Sequence, residues 1–115
     1  QKVSFKDVLK MYHLKTSIVF ESCLVCVAII KNLSKNIINK LKKYSLYIGL
    51  AFQIKNDLKD IDQDILNGRK TIPVLIGVNK SNKLISKYKM KAIFSIDTLG
   101  QEYDFLRFLV NVIVK

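Results

Sequence analysis

The chain has 115 residues and a formal net charge of +11, from 20 basic and 9 acidic residues. That length holds one domain, and a chain 50% hydrophobic with one proline and four glycines is not a disordered one. The lysine excess either solvates a surface or attracts anions such as phosphates, nucleic acid or acidic lipid. The chain begins at Gln1 rather than Met, which reads as a processed product or a piece of a longer protein. Cys23 and Cys26 form a C-x-x-C pair, but they lie inside an apolar helical run. His13 is the only histidine, so a four-ligand zinc site lacks donors and core packing is the expected role of both cysteines. No secretory signal is visible, so a reducing compartment is expected, the cytoplasm or an organelle matrix. The longest clean apolar run, Leu24–Ile30, is too short to cross a bilayer, and Glu21 interrupts its extension.

In chain order, Ser4 caps a short helix to about Tyr12, with Asp7 at the third position. A second helical pattern runs from about Leu14 to Lys31. Thr16, Phe20, Cys23, Val27 and Ile30 share one of its faces, and its apolar character on most sides predicts a buried helix. Asn32–Ser34 reads as a break. A long helix is predicted from about Lys35 towards Ile65. Asn67-Gly68 stops it, and Thr71 caps a further helix with Pro73 in its first turn. Val74–Val78 is apolar. Lys80–Phe94 is amphipathic, with Lys80, Lys83, Lys87 and Lys91 on one side and Leu84, Ile85, Tyr88 and Ala92 on another. Gly100 punctuates the chain before a final apolar helix, Tyr103–Val114. Hairpin signals, internal repeats and low-complexity tracts are absent from the sequence, so the fold class is all-α. So many apolar helices in so short a chain suggest a core closed by further sequence or a partner.

Gly49–Asp60, GLAFQIKNDLKD, carries the chemistry. At about 3.6 residues per turn, Gln53, Asn56, Asp57, Asp60 and Asp64 fall on one polar stripe, and Gly49 at its head removes side-chain bulk. Ile54, Leu58, Ile61 and Ile65 form a packing face, while Lys55 and Lys59 point to solvent. Four of the nine acids, Asp57, Asp60, Asp62 and Asp64, fall within eight residues. In so basic a chain, that clustering points to a cation site. Carboxylates one turn apart share a hard cation through oxygen, and magnesium is held by one or two carboxylates plus substrate phosphates. A calcium loop starting at Asp60 fails, because Ile65 replaces the required glycine and Thr71 the bidentate glutamate. Two cationic points accompany the stripe. Lys15-Thr16 is either a lysine snorkelling at a helix end or an ammonium aimed at an oxyanion. Gly68-Arg69-Lys70-Thr71, before Pro73, is either a basic turn or an anion site at a helix start. Together with apolar walls, these groups suit a substrate with a diphosphate head and a greasy tail.

Lys15-Thr16, Gly49-Leu-Ala-Phe-Gln53, Asn56-Asp57-Leu-Lys-Asp60 and Gly68-Arg69-Lys70-Thr71-Ile-Pro73 resemble, in that order, the C-terminal part of trans-isoprenyl (polyprenyl) diphosphate synthases. The resemblance spans about Ser4–Val78. It implies a helical bundle of the isoprenoid-synthase type, present as its C-terminal portion. It further implies condensation of an allylic diphosphate with isopentenyl diphosphate in isoprenoid biosynthesis, with Mg2+ as cofactor. Asp57 and Asp60, with Asn56 beside them, would hold the metal against the allylic diphosphate. Lys15 would contact that diphosphate, Thr16 and Gln53 would flank the allylic carbocation, and Phe52 would support the site. Arg69, with Lys70, would meet diphosphate where the family has a lysine. The first aspartate-rich motif, and the helices carrying it, would belong to an N-terminal half or a partner subunit, and a dimer is expected. Asn56 stands where the family usually has aspartate, and the segment between Asp60 and Asp64 is short. Both motivate a second reading, a non-catalytic or regulatory synthase-like subunit. A divergent prenyltransferase with another acceptor, and a basic module for nucleic acid or membrane surface, complete the alternatives. Nucleic acid is not expected as a partner, and peripheral membrane contact is left open.

Overall fold

The computed structural model describes residues 3–114. The chain opens with α1 (Phe5–Tyr12), entered through a capping box. The Ser4 hydroxyl accepts from the Asp7 N–H and the Asp7 carboxylate accepts from the Ser4 N–H, both at 3.2 Å. The expected break after Tyr12 is not a break. His13–Ser17 forms a π-helical turn, and the backbone runs straight on into α2 (Ile18–Ile30). The junction holds neither glycine nor proline, so nothing in the chain ends the helix there, and the change of phase is absorbed as one wide turn. A helix from Phe5 to Ile30 is long and apolar enough to cross a membrane by length and composition alone. In this fold it is a packing helix, with Val8, Tyr12, Ser17 and Ala28 buried.

The prediction that α2 is buried is corrected. Only Ala28 is buried, while Val19, Val27, Ile29 and Ile30 are exposed, as are both free cysteines, Cys23 and Cys26. The physical reason is coverage: one side of α2 meets the rest of the chain, and no described residue packs on the others. Core packing of the cysteines is overturned with it.

At Asn32, φ is +57°, and the N–H groups of Asn32 and Leu33 return to the carbonyls of Ile29 and Ala28. That is a Schellman stop. Ser34 then caps α3 (Lys35–Lys59), the spine of the fold. Its buried side carries Leu41, Tyr44, Ile48, Ala51 and Ile54. Each large apolar side chain fully buried there stabilises the fold by about 1.5–3 kcal/mol. The helix expected to reach Ile65 instead ends at Asp60, whose N–H bonds the Asp57 carbonyl at 3.2 Å. A new helix, α4 (Ile61–Leu66), starts at once. The polar stripe is therefore bent after Asp57, and the packing face fades along it. Ile54 is buried, Leu58 and Ile61 are half-buried, and Ile65 is exposed. Lys59 faces solvent as expected, while Lys55 is half-buried.

Gly68, at φ +70°, closes α4 as a second Schellman stop: its N–H bonds Ile65 and the Arg69 N–H bonds Asp64. Thr71 caps α5 (Ile72–Ile76), with Pro73 in the first turn. Gly77, at φ +88°, turns the chain into α6 (Val78–Ser95), which buries Ile85, Tyr88 and Ala92 and exposes Lys80, Lys83, Lys87 and Lys91. A short 3-10 turn, Gln101–Tyr103, leads to α7 (Asp104–Ile113). Arg107 fastens that corner, donating to the carbonyls of Ile96 at 2.9 Å and Leu99 at 2.6 Å.

Tyr44 donates to the Leu106 carbonyl at 2.7 Å, joining α3 to α7. Burial raises its phenol above the ordinary tyrosine range, and burial together with Asp57 does the same to Tyr12. A raised folded-state value means that the folded form favours the neutral phenol. This contribution is complete below about pH 10, where unfolded tyrosine titrates, and is lost as pH rises beyond it. Burial, with Tyr47 beside it, raises Tyr88 as well, so an ultraviolet difference titration should show three of the five tyrosines ionising later than the other two. Five tyrosines titrating together, with native circular dichroism, would contradict this burial.

Candidate functional site

The site begins with a close approach. A Cβ on Gly49 would lie 2.4 Å from Ser17 Oγ and 2.6 Å from Ser17 Cα. Glycine there lets the π turn lie directly on α3. Ser17 is completely buried and donates to the Leu46 carbonyl at 2.9 Å, which fixes the phase of the turn. That phase sets Thr16 over Gln53.

From Thr16 a continuous polar chain runs across three helices. The Thr16 hydroxyl donates to Gln53 Oε1 at 2.8 Å. Gln53 Nε2 donates to Asp57 Oδ1 at 3.3 Å, one turn further along α3. Tyr12 donates its phenolic hydrogen to Asp57 Oδ2. The same phenolic oxygen accepts the Ile72 N–H, the first amide of α5, at 3.1 Å. Donor and acceptor identities fix the orientation of the Gln53 carboxamide, since only its oxygen can receive Thr16 and only its nitrogen can serve Asp57. Burial first, and then the hydrogen bond to Asp57, hold the Tyr12 phenol well above its usual range, so it remains a donor at any physiological pH.

Beside this chain lies a hollow of about 290 Å³. Lys15, Gln53, Asp57, Arg69 and Lys70 all line it, with Tyr12 and Thr71. Three cationic residues from two separate segments therefore border the same hollow as one carboxylate, which suits an anion bound together with a cation. A larger hollow of about 640 Å³ shares none of these residues and is lined mainly by apolar side chains such as Leu24, Val27, Leu41 and Leu106.

The sequence-predicted residues separate into two groups. Lys15, Thr16, Gln53, Asp57, Arg69 and Lys70 come together. Phe52, Asn56 and Asp60 do not line the hollow. Phe52 packs edge-to-face on Phe20 of α2, ring centroids 6.1 Å apart, and so braces the Phe5–Ile30 helix against α3. Asn56 is half-buried, and Asp60 is exposed at the turn that ends α3. Asp64, the last residue of the predicted stripe, is buried and pairs with Arg69 at 3.7 Å. It holds the basic turn from beneath. Among the described residues no three His, Cys, Asp or Glu side chains cluster closely enough to hold a metal alone. Tyr12 and Ser17 were not singled out from the sequence. A tyrosine one turn before Lys15 was the only available signal for Tyr12, because its partner Asp57 lies 45 residues away.

Residues 1–101 match the family model described as polyprenyl synthetase. The chain belongs to the polyprenyl synthetase family. It is 30% identical to the farnesyl diphosphate synthase of Buchnera aphidicola subsp. Schizaphis graminum, over 100% of this chain and 42% of that protein. It is 32% identical to geranylgeranyl pyrophosphate synthase 11, chloroplastic, of Arabidopsis thaliana, over 73% of this chain and 27% of that protein. Among solved structures, an apo FPP/GFPP synthase from Zymomonas mobilis superposes with a TM-score of 0.88 at 32% identity, covering 100% of this chain and 39% of that one. The all-α isoprenoid-synthase architecture follows, and the chain spans less than half the length of these relatives.

Proposed function

We propose that the chain supplies one side of a magnesium–diphosphate site in a prenyltransferase that condenses an allylic diphosphate with isopentenyl diphosphate. The observation that carries this reading is that Lys15, Arg69 and Lys70 line one hollow together with Asp57. Magnesium fits these residues only as a shared ion. No all-protein cage exists among the described residues, but one or two carboxylates completed by substrate phosphates and water are its ordinary donor set. Asp57 is the first such donor. Both of its oxygens already accept a protein hydrogen bond, yet a carboxylate offers about four lone-pair directions. Asp60, across the turn, would supply a second donor, with Asn56 a neutral neighbour.

The metal, when bound, supplies charge stabilisation for a diphosphate as it leaves. The remaining work belongs to side chains of this chain. Lys15, Arg69 and Lys70 bind and orient the anionic head, and Asp64 steadies Arg69. Thr16 and Gln53 present their oxygens to positive charge on the allylic carbon, a preorganised electrostatic contribution. Their mutual hydrogen bond removes the reorganisation that free side chains would need. Phe52 braces the scaffold behind them. The first aspartate-rich motif would face this side from an N-terminal half or a partner subunit.

Full-length protein given an allylic diphosphate and isopentenyl diphosphate should release pyrophosphate only when magnesium is present. No release from any allylic donor, with diphosphate still bound, would favour the non-catalytic, regulatory subunit. The exposed position of Asp60 and the neutral Asn56 are the observations on that side.

A further inference from the structure

We infer that Tyr12 is a positioning residue that sets the carboxylate of Asp57 and couples it to the start of α5. Among the described residues, the phenolic oxygen is the one side-chain atom that hydrogen-bonds both. It donates to Asp57 Oδ2 and accepts the Ile72 N–H at 3.1 Å. Tyr12 is 4% exposed and Ile72 is completely buried, so the bond from the Ile72 N–H is sealed from solvent, while the Asp57 end of the phenol borders the hollow. The donor and acceptor sense is fixed. An amide N–H can only donate, so the phenol must receive it and give its own hydrogen to the carboxylate.

Two consequences follow for the site. Gln53 holds one oxygen of Asp57 and Tyr12 holds the other, so the carboxylate has one orientation relative to the hollow. Ile72 directly follows Arg69-Lys70-Thr71, so the same phenol links the end of the basic turn to a carboxylate that lines the same hollow. An anion pulling on the turn and a cation pulling on Asp57 act on one shared atom. Partners of this kind, removed from a metal site, typically lower metal affinity by about tenfold to a hundredfold.

The inference rests on the proposed role of Asp57 as a metal donor. The test is manganese(II) binding in the presence of inorganic pyrophosphate, followed by paramagnetic resonance, on the full-length protein and its Tyr12→Phe and Asp57→Ala variants. Tyr12→Phe is expected to weaken binding about tenfold while its far-ultraviolet circular dichroism stays native. Binding equal to wild type in Tyr12→Phe, with loss in Asp57→Ala, overturns the positioning role and leaves the metal reading standing. Undiminished binding in Asp57→Ala removes both. A second measurement does not depend on how the Tyr12 variant folds. In the wild-type protein, manganese-free magnesium plus pyrophosphate should slow hydrogen exchange at the Ile72 amide, and Asp57→Ala should abolish that slowing. Exchange at Ile72 that ignores the ligands contradicts the coupling.

Discussion

Asp57→Ala should abolish magnesium-supported pyrophosphate binding, a loss of roughly a hundredfold or more, since changes even to residues behind a metal ligand cost about ten- to a hundredfold. The chain should keep its helices. Asp57 is half-buried on α3, where alanine is a good helix residue, and the removed side chain packs no core. What remains unmet is the Tyr12 hydroxyl and one hydrogen of Gln53, at a cost of about 1–3 kcal/mol for each buried group left without a partner. Calorimetric titration with pyrophosphate, with and without magnesium, separates the two effects. A variant that binds like wild type would remove Asp57 from the site.

Gly49→Ala should be damaging for a different reason. The added methyl meets Ser17 at its backbone Cα as well as at its hydroxyl. Backbone cannot rotate away, so the Phe5–Ile30 helix must lift from α3. Overpacking of this kind costs about 1–3 kcal/mol. In a chain of this size that lowers the melting temperature by roughly 4–8 °C for each kcal/mol. The lift also separates Thr16 from Gln53, so diphosphate binding should fall together with stability. Adding Ser17→Gly should rescue only part of the loss, because the Cα clash remains. Full stability in Gly49→Ala, measured by thermal melting, would show that the contact between the π turn and α3 is looser than described.

The sequence made the ends of elements legible where capping chemistry is local. Ser4 with Asp7, Asn67-Gly68 and Thr71 with Pro73 each act within a few residues, and each stands where its pattern puts it. The two-faced α6 was equally readable, because lysines and apolar residues alternate at helical spacing. The turn at Asp60 was not, since nothing between Asp57 and Asp64 is a strong helix breaker. The exposure of α2 and its cysteines was also hidden. Hydrophobicity states that a surface needs cover, not whether this stretch of chain supplies it.

The site divides along the same line. Lys15, Thr16, Gln53, Asp57 and the Arg69-Lys70 turn were legible because their residue types match a chemistry and a family pattern. Tyr12 and Ser17 were not, because their roles exist only through contacts 45 and 29 residues away. Gly49 was legible as a missing side chain, but its purpose, room for the Ser17 backbone, needed the folded geometry.

Crystals of the full-length protein soaked in manganese(II) and pyrophosphate offer the most direct test. The expected anomalous peak lies against the Asp57 carboxylate, with pyrophosphate oxygens reaching Lys15 and Arg69. A metal bound elsewhere, at Asp62 or Asp64, or pyrophosphate bound away from Lys15 and Arg69, would contradict the magnesium–diphosphate site.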